Sequence, residues 1–200
     1  MMPWGHLAIG YLVYTVVTRV RGHRAPDGAP TLVLAVATQL PDLVDKPLNW
    51  WFDVFDGRGI GHSLLTVTAV CVLVAFVAHR YDRRELAGAF SLGLYSHLLA
   101  DTWRSLLAGE FGQAAFLLWP LFPTPTYPKD SLFDHVDAWL AHLQTLQSSP
   151  ATLLTGGFGI QLVLVVVLFG IWALDGFPGV KTLWRLVSRR RQRTVRAPER

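Results

Sequence analysis

The sequence predicts an all-α, polytopic membrane protein with about five transmembrane or membrane-embedded helices. Of its 200 residues, 52% are hydrophobic and only 16% are charged, whereas an ordinary soluble domain has about 25% charged residues. The clearest apolar segment, residues 151–174, contains no charged residue and is longer than the roughly 20 residues that cross a bilayer. The single cysteine, Cys71, lies in an apolar run and is interpreted as a small buried residue.

Four shorter apolar segments precede this one. They are residues 6–17, 31–44, 62–78 and 86–103, and Pro41 interrupts the second. Each has the length of a short membrane span or of a buried bundle helix, and periodicity alone does not separate these alternatives. No basic region precedes the first segment, so we do not expect it to be a cleaved signal peptide.

The basic residues predict the orientation of the five segments. Three basic residues follow the first segment, three follow the third and eight follow the fifth, which makes 14 of the 18 in the chain. All 14 lie on one side of the membrane if every segment crosses it, and the positive-inside rule places that side in the cytoplasm. The sequence therefore predicts a multi-pass protein of the cell (inner) membrane, with its N-terminus outside and its C-terminus in the cytoplasm.

These features divide the chain into three parts. Residues 1–147 are predicted to form a membrane-embedded helical domain with outer loops, 151–175 a C-terminal transmembrane helix and 176–200 a basic cytoplasmic tail. A basic stretch directly after a span usually fixes topology and contacts lipid headgroups. No nucleic-acid recognition motif accompanies it, so membrane lipid is the expected partner and nucleic acid is not.

Five ionisable side chains lie within or beside the apolar segments, near the same predicted membrane face. His6 opens the first segment, Asp42 closes the second, His62 opens the third, and His97 and Asp101 lie late in the fourth. Residues four apart share a helix face, and ionisable groups within membrane segments usually indicate a function. Taken singly, each residue is better explained as a cap, a turn residue or a satisfied core residue than as a ligand. Taken together, the imidazoles and carboxylates predict an outward-facing site for a divalent metal ion, with zinc favoured and manganese as the alternative.

The order of these motifs resembles the YdjM-type family of proposed membrane-bound, metal-dependent hydrolases. The resemblance covers about residues 1–125 and depends on an early His, then "PD", "HS" at a helix start, "HLLAD" and "LLWPLFP". The same motifs are similar, more distantly, to zinc-dependent phospholipase C and related single-strand nucleases. The family typically reads His-Arg-Gly-x-Thr-His-Ser before the third segment, where this chain has "GRGIGHS" with Gly57 and Gly61. The resemblance implies metal ligands at the matching positions His6, Asp42, His62, His97 and Asp101.

Two classes of function follow from these observations. The first is a metal-dependent hydrolase that acts on phosphoester or lipid substrates through a metal-activated water. Asp45, one turn beyond Asp42, is its candidate catalytic proton acceptor, and the alternative is a solvated turn residue beside Lys46. The second class is a non-catalytic membrane protein in which a structural metal or a polar network holds the helices together. A transporter is a weaker third, since Asp and His within a membrane also mark ion pathways.

Residues 131–147 are predicted to form an amphipathic helix on the outer membrane surface. His135 and His142 fall largely off its apolar stripe and are interpreted as solvated residues rather than ligands. The stripe consists of Leu132, Val136, Trp139, Leu140, Leu143 and Leu146.

Overall fold

The computed structural model describes residues 1–22, 24–55, 57–126, 131–151 and 156–195. Within these ranges all regular secondary structure is helical, so the all-α prediction is confirmed. A 3-10 helix, Phe111–Leu118, lies between the fifth and sixth α-helices. The α-helices are α1 (Pro3–Gly22), α2 (Gly28–Ala37), α3 (Leu40–Phe52), α4 (Leu64–Arg80), α5 (Arg84–Leu107), α6 (Leu132–Ser148), α7 (Gly157–Leu174) and α8 (Val180–Val195).

Among the described residues, α7 is the one helix that is long and apolar enough to cross a membrane. Its mean hydropathy is 2.4, and only 6% of its residues are buried inside the protein. Its 18 residues extend about 27 Å, close to the hydrocarbon thickness of a bilayer. Residues 152–155 of the predicted span lie outside the described residues. By length and composition, α7 is therefore a candidate membrane span.

The second predicted segment, residues 31–44, is divided between two helices. α2 ends at Ala37 and α3 begins at Leu40, so Asp42 lies in the first turn of α3 and does not close a helix. Pro41 is at the start of α3, where its missing N–H is not needed for a helical hydrogen bond. The break therefore comes before Pro41, and it leaves the carbonyl of Thr38 free to accept a hydrogen bond from another helix.

The helix α5 is the centre of the bundle and packs against α1, α2 and α4, while α1 also packs against α7. Gly93 allows α2 and α5 to approach closely, because a Cβ there would lie 2.7 Å from the Cβ of Ala37 and 2.9 Å from the carbonyl oxygen of Leu34. Small residues have this role in many membrane helix pairs. Cys71 is buried in the core beside Leu98, as the sequence predicts.

Polar contacts join α1, α5 and α7 at the end of α1 that is opposite His6. Asp175, directly after α7, accepts a hydrogen bond of 2.7 Å from the hydroxyl of Tyr11 and forms an ion pair with Arg19. Arg24 forms an ion pair with Glu85 in the first turn of α5. The C-terminal ends of α1 and α7 and the N-terminal end of α5 therefore lie at the same end of the bundle.

Most of the predicted basic tail, residues 176–200, forms the helix α8. Thr182 in its first turn lies against Gly28 at the start of α2, where a Cβ would lie 2.4 Å from the Thr182 hydroxyl. Residues 196–200 lie outside the described residues. The start of α8 is therefore beside the N-terminal end of α2.

Candidate metal site

Three helices and the loop before α4 bring the five predicted ligands together. His6 comes from α1, Asp42 from α3, and His97 and Asp101 from α5, while His62 precedes α4. The three histidines are fully buried, and the side chain of Asp101 is 4% exposed. Ser63 caps α4 by accepting a hydrogen bond from the N–H of Thr66, which fixes the backbone next to His62. The residues predicted from sequence spacing therefore lie in one buried cluster, the His/Asp cluster.

The distances within the His/Asp cluster are compatible with a shared metal ion. The Nε2 atoms of His62 and His97 are 3.1 Å apart. His62 Nε2 lies 3.6 Å from Asp42 Oδ1 and 3.6 Å from Asp101 Oδ2, and His6 Nε2 lies 3.4 Å from Asp101 Oδ1. Two nitrogens bound to one zinc ion at about 2.0–2.1 Å lie roughly 3.3–3.4 Å apart at a tetrahedral angle. Two overlapping triads could hold a metal ion, and both contain His97: His6, Asp42 and His97, and His62, His97 and Asp101.

The hydrogen bonds of His62 and His97 direct their Nε2 atoms into the cluster. His97 Nδ1 donates to the carbonyl oxygen of Thr38 at 2.8 Å, because a carbonyl can only accept. His62 Nδ1 lies 2.7 Å from a carboxylate oxygen of Asp45 and is placed to donate to it. When both rings are neutral, the two Nε2 atoms face each other with lone pairs, an arrangement that a cation between them would stabilise.

The ring of His6 adds a second indication that a cation belongs in the cluster. It stacks on the ring of His97, with the centroids 3.8 Å apart and the planes 14° from parallel. His6 is fully buried, and neither of its ring nitrogens has a hydrogen-bond partner in the structure. Buried polar atoms are nearly always partnered, and an ion bound at one of these nitrogens would supply the partner that this nitrogen lacks.

Asp45 lies directly behind His62 and is fully buried. Its carboxylate accepts hydrogen bonds from three backbone N–H groups, those of Gly59 at 2.7 Å, Gly61 at 2.9 Å and His62 at 3.1 Å. The alternative interpretation of Asp45 as a solvated turn residue is therefore wrong. Its catalytic role as a proton acceptor stays a prediction.

Gly61 stands where the family that the sequence resembles typically has threonine, and it lies against α3. A Cβ at this position would lie 2.8 Å from the carbonyl oxygen of Pro41 and 3.2 Å from Cγ of Asp45. The threonine of the family pattern does not fit in this backbone, because the loop packs directly on α3. Glycine at this position lets the loop donate its N–H groups to Asp45.

Two basic side chains contact the carboxylates of the cluster. Lys46 Nζ lies 2.9 Å from Asp42 Oδ2, and Arg58 Nη2 lies 3.1 Å from Asp101 Oδ2. Arg58 carries no motif that predicts this contact, although it lies only four residues before His62 in the same loop. Lys46 can therefore balance the negative charge of Asp42, and Arg58 can balance that of Asp101.

A cavity of about 370 Å³ reaches the cluster at Asp42 and is closed on one side by α6. The ring of His135 lies 5.6 Å from that of Trp50, and the ring of Trp139 lies 5.4 Å from that of Trp4. The predicted amphipathic helix is present, but the face it turns to the protein contains His135 and Trp139. His135 is accordingly half-buried and not solvated. The remainder of the predicted stripe is mostly exposed: Leu132, Val136, Leu140 and Leu143.

Comparison with known proteins identifies a family for the chain. No curated protein and no solved structure matches it significantly. The sequence model of a family described as YdjM inner membrane protein matches residues 1–177. This match includes every residue of the His/Asp cluster and the whole of α7, and it covers more than the residues that suggested the resemblance. The chain belongs to the YdjM inner membrane protein family.

Proposed function

We propose that this membrane protein is a metal-dependent hydrolase that acts on a phosphoester, in particular a lipid phosphoester. The observation that carries the proposal is the buried His/Asp cluster, in which distant parts of the chain converge on one point. A divalent ion held there, zinc or alternatively manganese, would supply an activated water by lowering the pKa of that water to about 7 and would polarise a phosphoryl oxygen. Its ligands are drawn from His6, Asp42, His62, His97 and Asp101.

Asp45 and the carbonyl of Thr38 have an orienting role in this proposal. Each accepts a hydrogen bond from the Nδ1 of one cluster histidine, which fixes the ring so that Nε2 points at the cluster. Such partners of ligating histidines are typical of metal sites. We assign Asp45 this orienting role in preference to proton acceptor, because both of its carboxylate oxygens already accept hydrogen bonds.

The cavity at Asp42 favours a hydrolase over a purely structural metal site. A structural zinc is normally closed by four protein ligands, whereas a catalytic one keeps an open position. Here the cluster adjoins a cavity of about 370 Å³ whose walls include Leu43, Trp50 and Trp139. This apolar lining, in an inner membrane protein, supports a lipid as the substrate.

We further propose that five segments cross the membrane and that the His/Asp cluster faces outward. α1 and α7 run from the cluster towards Asp175, and α5 runs in the opposite direction, from Glu85 to Asp101. α4 starts beside the cluster at His62 and ends at Arg80. α2 runs from Gly28, beside α8, to Ala37, next to the Thr38 carbonyl that His97 contacts. With α2 as the second segment, the five directions alternate as five successive crossings require. Apolar side chains exposed on α1 and α4 support contact with lipid: Val13, Val16, Val20, Val70, Val72, Leu73, Phe76 and Val77.

The proposed topology predicts opposite locations for two tags. A reporter fused after Arg200 should report the cytoplasm, and a tag inserted near Gly112 should be accessible from outside, because 14 of the 18 basic residues follow the first, third and fifth segments. Labelling with a membrane-impermeant reagent in intact cells makes the measurement. Two tags on the same side would contradict the five-span arrangement.

The proposed activity predicts chelator-sensitive hydrolysis of a phosphoester. The protein is reconstituted in liposomes and incubated with several phospholipids and soluble phosphodiesters, with and without a chelator. Cleavage should stop with the chelator and return with added zinc or manganese. It should be lost in Asp101→Asn and retained in Arg80→Ala, which changes an exposed residue at the far end of α4. A fully metallated protein that cleaves none of the panel would favour the structural interpretation.

A further inference from the structure

A second cavity, of about 240 Å³, lies between α3, α4, α5 and the loop before α4. Among the described residues that line it, none is charged and Thr66 alone has a polar side chain. The helix α3 separates this cavity from the one at Asp42, because Val44 lines the first and the preceding residue, Leu43, lines the second. We call this separate, apolar cavity the lateral cavity.

The lateral cavity reaches from the outer surface of the bundle to its buried core. Three of the side chains that line it are 37–40% exposed: Val44, Ile60 and Val70. Two others, Val67 and Leu94, are only 4% exposed and belong to a core cluster. The cavity therefore opens at the surface and ends against the core.

The opening is continuous with an apolar stripe on α4. Leu73 and Val77 lie three and seven residues after Val70, so all three share one face of the helix. Leu73 is 62% exposed and Val77 is 45% exposed. The cavity therefore opens onto a surface that is proposed to contact lipid.

Pro41 and Gly61 form the wall of the lateral cavity that is nearest to the His/Asp cluster. The N–H of Gly61 donates a hydrogen bond of 2.9 Å to Asp45, whose carboxylate also holds the ring of His62. A molecule in the cavity would therefore contact the loop that fixes the orientation of His62.

The lateral cavity extends away from the cluster along the helices. Gly61, at one end, is next to His62, whereas Phe90 lies seven residues before His97 on α5, which is about 10 Å along the helix axis. In the proposed topology the cluster faces outward, so this direction leads from the outer headgroups into the hydrocarbon. An acyl chain of a lipid in the outer leaflet has the same direction.

The chemistry and size of the lateral cavity are suitable for one acyl chain. An uncharged lining gains free energy when it buries CH₂ groups and offers a headgroup no ionic partner. The volume of about 240 Å³ is below the range of about 300–1,000 Å³ that is typical for whole drug-sized ligands. The cavity therefore accommodates part of a lipid, and an inner membrane protein is surrounded by such chains.

We propose that the lateral cavity binds one acyl chain of a membrane phospholipid, against the loop that orients His62. The proposal goes beyond the hydrolase function and does not rest on it, because none of the described residues that line the cavity belongs to the His/Asp cluster. It uses the proposed topology only for the direction of the chain.

Photo-crosslinking tests where the acyl chain lies. The full chain is irradiated in detergent micelles that contain increasing fractions of phosphatidylglycerol with a diazirine in one acyl chain, and the adducts are mapped by mass spectrometry. Adducts should form on Leu94, because a side chain that is 4% exposed meets lipid only through the cavity. Adducts that are confined to exposed side chains such as Val72 would overturn the proposal.

Two substitutions that fill the lateral cavity make the test specific. Val70→Trp should raise the half-saturating lipid fraction for the Leu94 adduct about tenfold, equivalent to ~1.4 kcal/mol, because the indole takes the space of the chain. Val44→Trp fills the cavity from α3 and should act alike, so the test survives if one variant does not fold. Val72→Trp, at a 64% exposed position on another face of α4, is the matched control and should behave as the wild type. Equal Leu94 labelling in folded cavity variants and in the wild type contradicts the lipid site.

A second copy of the chain is the alternative occupant of this surface. Light scattering of the detergent-solubilised protein measures its oligomeric state. A dimer that Val70→Trp disrupts, together with no lipid adduct on Leu94, would assign the surface to protein contact and overturn the proposal. Leu94 labelling that the cavity variants weaken, in a chain that cleaves no phosphoester, would support the lipid site and count only against the hydrolase.

Discussion

His97→Ala is expected to weaken metal binding by more than about 100-fold. His97 belongs to both triads of the His/Asp cluster, so its loss removes a ligand whichever triad holds the ion. Changes to partners outside the ligand set already cost about 10–100-fold, and loss of a ligand should cost more. Calorimetric titration of the detergent-solubilised protein with zinc and manganese measures the affinity. His62→Ala and Asp101→Asn should act in the same direction.

His135→Ala is the matched control for His97→Ala. This histidine lines the cavity at Asp42 but belongs to neither triad, so its replacement should leave metal affinity close to that of the wild type. Equal affinity in His97→Ala, His135→Ala and the wild type would contradict a shared metal site. A loss of metal affinity in His135→Ala alone would indicate that the metal site lies at α6 instead.

Asp45→Asn should weaken metal binding about 10–100-fold, the range for partners that orient ligating histidines. The amide places an N–H₂ donor where the carboxylate accepts N–H groups from Gly59, Gly61 and His62. Two donors then face each other, the loop shifts, and His62 loses its fixed orientation. We expect unfolding to become easier by about 1–3 kcal/mol, the cost of an unsatisfied buried polar group.

The Asp45→Asn result separates an orienting residue from a proton acceptor. An orienting residue changes metal affinity, whereas a proton acceptor changes the rate of hydrolysis and leaves affinity unaltered. Asp82→Asn, an exposed change after α4, is the control and should alter neither quantity. Unchanged metal affinity together with lost hydrolysis would contradict the orienting role and favour the catalytic one.

The members of the His/Asp cluster could be predicted from sequence because their signal is local. His97 and Asp101 share a helix face by their spacing, and each of the other three marks the start or end of an apolar segment. Charge counting then placed all of them at the same membrane face. These local signals do not depend on which helices touch, and in the structure the five residues lie together.

The contacts that orient the cluster could not be predicted, because they join residues far apart in the chain. The sequence suggests a break at Pro41, but the helix breaks earlier, at Thr38. The carbonyl of Thr38 accepts a hydrogen bond from His97, 59 residues further along the chain. Arg58 similarly reaches Asp101 across the bundle. The apolar stripe of α6 is evident in the sequence. The side of α6 that packs on the protein is the one whose Trp139 and His135 contact Trp4 and Trp50, which are far away in the chain.

Elemental analysis of the purified protein tests the central claim most directly. The wild type and Asp101→Asn are purified in detergent from cells supplied with zinc and manganese, and both are checked for a folded state. The account predicts one or more divalent ions per chain in the wild type, removable by a chelator, and a clearly lower content in Asp101→Asn. A folded wild type that contains no divalent metal and takes up none would contradict it.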